Sequence, residues 1–375
     1  AEDILGLLSD PNDQIKEASA FALSNMGYEA AIVPIASKIE SDRDYVSHYI
    51  RLAEKSGEKG DIKSCLNICD DIKMNSNGYF TDNNIINTLF LQVKYNPQGS
   101  VQRLFELISG HRTKLRKAAL DLITTYNKSE YVFSLIEISK QGTPEIQSDI
   151  INLFSEQECK SALSYIRESL NSPYPEVRFT SLRALVNIEQ NKSLPELVSV
   201  LKDSLNEYES IQVQNILMSI ADSSSINYLL DSYDEYSKNS KMRILELLSE
   251  VYKPAYNKYF LLALNSDELD LRLLSLDLLA ANGDDKLIEN LLTHFLKSNN
   301  DKEVSKTIVA ISSIVDRSQA KKESYFVIKN YYKSANRDKK IQLFSLFKFI
   351  GEDELLTITR TEIENYDKDF SISAL

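Results

Sequence analysis

The stretch SPYPEVRFTSLRALVNIE, from Ser172 to Glu189, decides the fold. Proline cannot continue a helical hydrogen-bond ladder but fits a first turn, so Pro173 and Pro175 end one helix and set the start of the next. A preceding amphipathic segment, ALSYIRESL, supplies the first helix. Small and apolar residues then recur at helical spacing at Val177, Ser181, Leu182, Leu185 and Ile188. The unit is therefore predicted to be a helical hairpin.

The same arrangement, a polar turn followed by an apolar residue that opens an amphipathic helix, recurs along the chain. These anchor residues lie 29 to 39 residues apart and are Ile15, Val46, Ile85, Leu115, Ile146, Val177, Ile211, Met242, Leu271, Val304 and Ile341. A hairpin of two such helices leaves one apolar side uncovered, so it is stable only when the next hairpin stacks on it. We therefore predict an all-α, right-handed α-solenoid of about eleven hairpins over residues 1–375, with an irregular unit near 53–93.

Composition agrees with helices joined by short loops. Ten glycines and eight prolines are too few for the many tight turns of a sandwich or a propeller. The formal net charge of −12 makes nucleic acid an unlikely partner, because duplexes are bound mainly by cations. No apolar run is long enough to span a bilayer, and we expect a soluble chain, either cytoplasmic or exported with its signal removed.

The repeated motif resembles that of HEAT repeats, which have an armadillo-type fold. The matching pieces are Pro175-Glu176-Val177-Arg178 with Ala184 and Leu185, Asp270-Leu271-Arg272 with Leu278 and Gly283, and Asp13 through Ile15-Lys16 with Ala18, Ala22 and Gly27. The resemblance implies a stack of hairpins whose second helices line a concave binding face. It also implies that the basic residue after the anchor pairs with an acidic residue of the turn.

The sequence carries no recognisable catalytic or metal motif. His48, His111 and His294 fall in different repeats, so they are not expected to converge on one metal. Cys65 and Cys69 lie on a single apolar helical stripe and are interpreted as buried small hydrophobes. We predict no enzymatic activity, no catalytic residue, no metal and no cofactor.

Two sets of residues on the second helices are candidates for partner binding. The first set follows the anchors, where a structural role in the turn is the alternative; it comprises Arg116, Arg178, Arg243 and Arg272, with Lys16 in an equivalent position. The second set occupies polar positions outside the core stripe and comprises Asp121, Thr125, Arg183 and Asn187. A concentration of tyrosines between Tyr228 and Tyr259 is either an aromatic contact patch or part of the helix margins.

The leading functional hypothesis is a non-catalytic scaffold or adaptor that binds a protein or an acidic peptide segment. The alternatives are a HEAT-like nucleic-acid-binding protein or DNA glycosylase, and an enzyme-accessory protein similar to HEAT-like bilin lyases. The first helix keeps apolar Ile4, Leu5, Leu7 and Leu8, whereas a terminal repeat normally has a polar outer face. We therefore also expect an upstream domain or a partner to cover that helix.

Overall fold

The computed structural model describes residues 1–74, 80–203, 205–220 and 222–349, together with Thr357 and Arg360. Its contacts divide the chain into two compact units, unit 1 (Ala1–Ile188) and unit 2 (Glu189–Leu375). None of the described residues forms a strand. The predicted all-helical solenoid class is confirmed, whereas the repeat count and the single-domain organisation stay predictions.

Helices of unit 1 alternate between the two members of each hairpin. They are α1 (Glu2–Gly6), α2 (Asp13–Asn25), α3 (Ile32–Ala36), α4 (Tyr45–Glu58), α5 (Ile62–Met74), α6 (Asp82–Tyr95), α7 (Pro97–Ile108), α8 (Thr113–Ile123), α9 (Lys128–Gln141), α10 (Pro144–Glu156), α11 (Leu163–Ser169) and α12 (Pro175–Glu189), which ends at the boundary. The even helices α2, α4, α6 and α8 each pack on the next even helix, and α7 packs on α9. The hairpins therefore stack as two layers.

Unit 2 repeats this arrangement. Its helices are α13 (Leu194–Lys202), α14 (Glu207–Ser219), α15 (Ser223–Leu230), α16 (Lys238–Glu250), α17 (Asn257–Leu264), α18 (Leu269–Asn282), α19 (Ile288–Lys297), α20 (Asp301–Arg317), α21 (Lys321–Ser334) and α22 (Arg337–Phe344). The even helices from α14 to α20 pack in sequence, and the odd pairs α13–α15 and α19–α21 pack beside them.

Helix starts follow from local chemistry. The Asn12 side chain accepts a hydrogen bond from the Gln14 amide at the start of α2, and Thr81 with Asn84 forms a capping box at the start of α6. Pro144 occupies the first turn of α10, where the absent amide hydrogen costs nothing. Such caps satisfy amides that have no partner inside the helix, so the sequence sets where each hairpin turns.

All eleven anchor residues fall within the first five residues of an even-numbered helix. Val177 and Leu271 are buried as the pattern indicates, but Ile15 and Ile211 are exposed. On α14 the buried stripe passes through Val213, Ile216 and Leu217, so Ile211 lies on the opposite side of the helix. The anchors therefore located the helices correctly and misplaced the inward face of two of them.

The sequence singled out two units, the first hairpin with α1 and the irregular unit near 53–93. Leu8 is buried while Leu7 is exposed, and the expected cover over α1 stays a prediction. Near residues 53–93, α5 is a full 13-residue helix, and the residues 75–79 that lengthen this unit lie outside the described residues. Gly60, with a φ of +89°, makes the tight turn before α5, a conformation that favours glycine.

Half of the tyrosines concentrated between Tyr228 and Tyr259 belong to the core of unit 2, which favours the helix-margin interpretation for them. Tyr233, Tyr236 and Tyr256 are buried, and the Tyr236 hydroxyl donates to the Leu229 carbonyl at 2.6 Å. Burial raises the pKa of Tyr233 and Tyr236. Tyr228 keeps an exposed side chain.

Candidate protein-binding surface

Arg116 on α8 has a structural position rather than an open one. Its side chain is almost fully buried, and its Nη1 donates to the Gly110 carbonyl at 2.9 Å. Its Nε donates to Oδ2 of Asp149 on α10 at 2.7 Å. The guanidinium therefore closes the turn of its own hairpin and joins it to the next even helix.

Arg178 and Arg272 repeat this geometry. Each Nη1 donates to a carbonyl six residues earlier, that of Ser172 at 2.9 Å and that of Ser266 at 2.8 Å. Arg272 also donates through Nε to Glu303 on the next even helix, α20. The resemblance implied an acidic partner in the turn, but the turn supplies carbonyls, and the acidic partners of Arg116 and Arg272 lie on the following repeat.

Arg243 on α16 donates to the preceding even helix, whereas Arg116 and Arg272 donate to the following one. Its Nε donates to the Ser210 hydroxyl at 2.7 Å and its Nη1 to Oε1 of Gln214 at 3.0 Å, both on the preceding even helix α14. The same Nη1 donates to Glu246 at 2.7 Å. Lys16, by contrast, pairs with Asp13 within its own helix at 2.5 Å. The basic residues after the anchors thus bind protein groups, which supports their structural interpretation.

Glu303 is the centre of a buried polar cluster in unit 2. Burial alone raises the pKa of a carboxyl, but hydrogen bonds from Ser298 and Arg272 outweigh it and leave the pKa of Glu303 lowered. His294 lies 3.9 Å from this carboxylate through Nε2, and burial lowers the pKa of the imidazole. The cluster satisfies a buried charge between α18, α19 and α20.

The second set of candidates is exposed. Asp121, Thr125, Arg183 and Asn187 all present solvent-accessible side chains on or just after α8 and on α12. Asn187 also donates through Nδ2 to the Ser155 carbonyl at 3.1 Å, so it helps to hold α12 against α10. Thr125 donates through Oγ1 to the Leu122 carbonyl at 2.7 Å. Their role in binding a partner stays a prediction.

Side chains that are exposed, or half-buried in the case of Arg51, occupy similar positions, five or six residues after the anchor, on successive even helices of unit 1. We call this set the even-helix row, and from α2 to α12 its members are Phe21, Arg51, Phe90, Asp121, Asn152 and Arg183. The Phe21 and Phe90 side chains are each 51% exposed. The Arg51 guanidinium carbon lies 4.8 Å from the centre of the Phe21 ring, a cation–π contact that joins α2 to α4.

The aromatic members of this row were missed by the sequence analysis. Phe21 follows its anchor by six residues, the spacing that also identifies Asp121 and Arg183, and Phe90 follows its anchor by five. The signal was therefore available as a position counted from the anchor. It was overlooked because aromatic residues on amphipathic helices usually belong to the core.

The cysteines lie in the core rather than on this surface. Cys65, Cys69 and Cys159 are free and buried. Within the described ranges no three side chains of His, Cys, Asp or Glu are grouped so that they could hold a metal ion. No described helix is both long and apolar enough to cross a bilayer.

The stacked hairpins define an α-solenoid of the helical-repeat class, and comparisons add similarities in fold. No protein-family model and no curated protein sequence matches the chain. Kap121p is 14% identical over 93% of this chain and 45% of its own, with a TM-score of 0.44. This chain therefore spans less than half the length of Kap121p.

Two further solved structures are similar to this chain at low sequence identity. A chain in the structure of Kap95p with RanGDP is 10% identical over 100% of this chain and 60% of its own, with a TM-score of 0.43. A chain in the CpcE–CpcF complex of phycocyanin lyase from Nostoc sp. PCC7120 is 15% identical over 68% of this chain and 94% of its own, with a TM-score of 0.29. Membership of the HEAT-repeat family stays a prediction.

Proposed function

We propose that this chain is a non-catalytic scaffold that binds a protein segment along the even-helix row of unit 1. The observation that carries the proposal is the pair of half-exposed phenylalanines, Phe21 and Phe90, on stacked even helices. Exposed aromatic rings rimmed by polar side chains are typical of protein-binding surfaces, because they offer apolar area at low entropic cost. Arg51, between them along the row, already holds the Phe21 ring in place.

The charges of the row favour particular residues in the bound segment. Arg51 and Arg183 are its cations and Asp121 is its only anion among the six named positions. We propose that apolar side chains of the segment cover the two rings, while acidic side chains align with the two arginines and fix the register. The buried Arg116 and the partly buried Arg272 hold the repeats together and lie outside this contact.

A peptide-display experiment tests the proposal without a known partner. Random peptides are selected on the wild-type chain, and the affinity of each enriched peptide is measured for Phe21→Ser/Phe90→Ser. We expect at least a tenfold loss, since each ring removed from an interface centre costs about 1–2 kcal/mol. Phe133→Ser is the matched control, because Phe133 is 74% exposed on α9 in the odd layer of the same unit.

The results of these binding measurements distinguish the protein-binding scaffold from the two alternative functions. Loss of binding with Phe133→Ser and none with Phe21→Ser/Phe90→Ser contradicts the even-helix row. Saturable, salt-dependent binding of a fluorescent DNA duplex supports the nucleic-acid alternative instead. A coloured chromophore that copurifies with the chain supports the bilin-lyase alternative.

A further inference from the structure

The outward face of α21 is basic and carries one exposed aromatic ring. Its residues are Lys322, Phe326, Lys329 and Lys333, whose spacing of four, three and four residues places them on one side of the helix. The Phe326 side chain is 64% exposed, Lys322 and Lys333 are exposed, and Lys329 is half-buried. We call these four side chains the lysine–phenylalanine face.

The opposite side of α21 is fixed in the core of unit 2. Ile328 and Tyr332 are buried, and the Tyr332 ring contacts the Phe347 ring at a centroid distance of 5.0 Å. The Tyr331 hydroxyl lies 3.0 Å from Oγ1 of Thr293 on α19. These contacts set the rotation of the helix, so the lysine–phenylalanine face points away from the core.

The positive charge of this face is not neutralised by its neighbours. Within the part of the chain that the structure describes, Lys322 and Lys333 make no ion pair or hydrogen bond. Glu323 is the one carboxylate in the sequence of α21, against four lysines. Lys322 also lies in the first turn, where the helix dipole favours anions, so helix stability does not explain its position.

Phe133 on α9 is an exposed ring with the opposite surroundings. Its side chain is 74% exposed, and Glu130 and Glu137 lie three residues before it and four residues after it, on the same side of the helix. Phe133 and Phe326 are therefore both well exposed but differ in the sign of the adjacent charge. This difference makes Phe133 an internal control for Phe326.

The chemistry of the face favours an anionic lipid bilayer over other anionic partners. Lysine is depleted in protein interfaces and arginine is enriched, yet the face has no arginine. Duplex nucleic acid offers no apolar phase for an exposed ring, and a chain with a net charge of −12 lacks a broad positive field. A bilayer offers both features, because its anionic headgroups attract nearby lysines and its interface takes up aromatic rings.

We propose that the lysine–phenylalanine face docks unit 2 on a membrane surface that contains anionic lipid. Phe326 enters the boundary between headgroups and acyl chains, while the ammonium groups of Lys322, Lys329 and Lys333 contact the anionic headgroups. The contact is peripheral, and α21 stays packed on α19. The inference goes beyond the proposed function and does not depend on it, because the even-helix row lies in unit 1.

Vesicle co-sedimentation tests the inference with the full chain. Sucrose-loaded vesicles of one-third phosphatidylserine and two-thirds phosphatidylcholine are compared with vesicles of phosphatidylcholine alone at low ionic strength. We expect saturable binding to the vesicles that contain phosphatidylserine and none to the others. The binding should fall steeply as salt is added, because salt screens the attraction between exposed charges.

Charge-matched variants decide whether α21 is responsible. Lys322→Gln/Lys333→Gln should weaken vesicle binding at least tenfold, since each lysine near an anionic surface contributes roughly fivefold. Lys114→Gln/Lys117→Gln removes the same charge from two exposed positions on α8 and should leave binding within twofold.

The two phenylalanines distinguish a lipid surface from a purely electrostatic contact. Phe326→Ser should weaken vesicle binding severalfold, because the ring no longer enters the interface, whereas Phe133→Ser should leave it unchanged. Circular dichroism confirms that each variant keeps its helices.

Three results overturn the inference. They are the absence of a preference for phosphatidylserine, equal weakening by the two lysine pairs, and vesicle binding that is insensitive to Phe326→Ser. A DNA duplex or a poly-glutamate chain that binds more tightly than the vesicles, with the same loss in Lys322→Gln/Lys333→Gln, assigns the face to nucleic acid or to an acidic protein instead. The peptide measurements on unit 1 test the proposed function separately from all of these.

Discussion

Leu185 and Arg183 lie two residues apart on α12 and have opposite surroundings. Leu185 is fully buried, whereas Arg183 is exposed. Leu185→Ala should lower the free energy of unfolding by roughly 2–5 kcal/mol, because it leaves a cavity in a packed core. Arg183→Ala should change it by less than about 0.5 kcal/mol. Urea denaturation followed by circular dichroism measures both, and equal effects would contradict the assigned burial.

His48 gives the stability of unit 1 a predicted dependence on pH. Burial lowers the pKa of the imidazole and Arg51 lowers it further, while Glu17, Asp44 and Asp42 oppose the shift without reversing it. The unfolded state, with a pKa near 6.5, therefore binds a proton at higher pH than the folded state does. The stabilisation is complete above that value and is lost as the pH falls through it toward the lower folded pKa, with a slope of at most about 1.4 kcal/mol per pH unit.

Urea denaturation at about pH 7.5 and about pH 5.5 checks this dependence. His48→Gln should reduce the loss of stability between the two conditions. His111→Gln is the control, because His111 is exposed in the same unit. An unchanged pH dependence in His48→Gln would show that this imidazole does not stay neutral in the folded chain.

At the scale of the helical elements, the ion pair between Arg116 and Asp149 should couple α8 to α10. A double-mutant cycle with Arg116→Ala and Asp149→Ala should give a coupling energy of about 1–3 kcal/mol, because the pair is mostly buried and the arginine also closes a turn. The exposed pair Lys55–Glu58, separated by 2.6 Å on one helix, should show no coupling beyond experimental error. A similar coupling in both pairs would contradict the structural role of the arginine.

The elements also show what a sequence reveals about this fold. Helix pairs were predictable because caps, prolines and apolar periodicity act over a few residues, as at Pro175 and Val177. The acidic partners of the arginines were not predictable, since Asp149 and Glu303 lie 33 and 31 residues beyond Arg116 and Arg272. Such contacts depend on how one hairpin sits on the next, which local spacing does not determine.

The candidate site was predictable in part for the same reason. Exposure of Asp121 and Arg183 followed from their positions outside the core stripe. Exposure of Phe21 and Phe90 required knowing that the neighbouring even helices leave these rings uncovered.

At the scale of the whole molecule, the chain combines a net charge of −12 with a repeated helical architecture and two compact units. An acidic chain of this kind disfavours nucleic acid and leaves local features to decide what is bound. In unit 1 those features are two exposed aromatic rings and the two arginines of the even-helix row. We propose that a bound protein segment contacts both.

Site-specific photo-crosslinking tests the central claim, that a protein segment lies along the even-helix row, most directly. A photoreactive phenylalanine analogue replaces Phe21, Phe90 or Phe133 one at a time, and each chain is irradiated with a display-selected peptide. We expect covalent adducts at positions 21 and 90, identified by mass spectrometry, and none at position 133. Adducts at position 133 with none at positions 21 and 90 would contradict it.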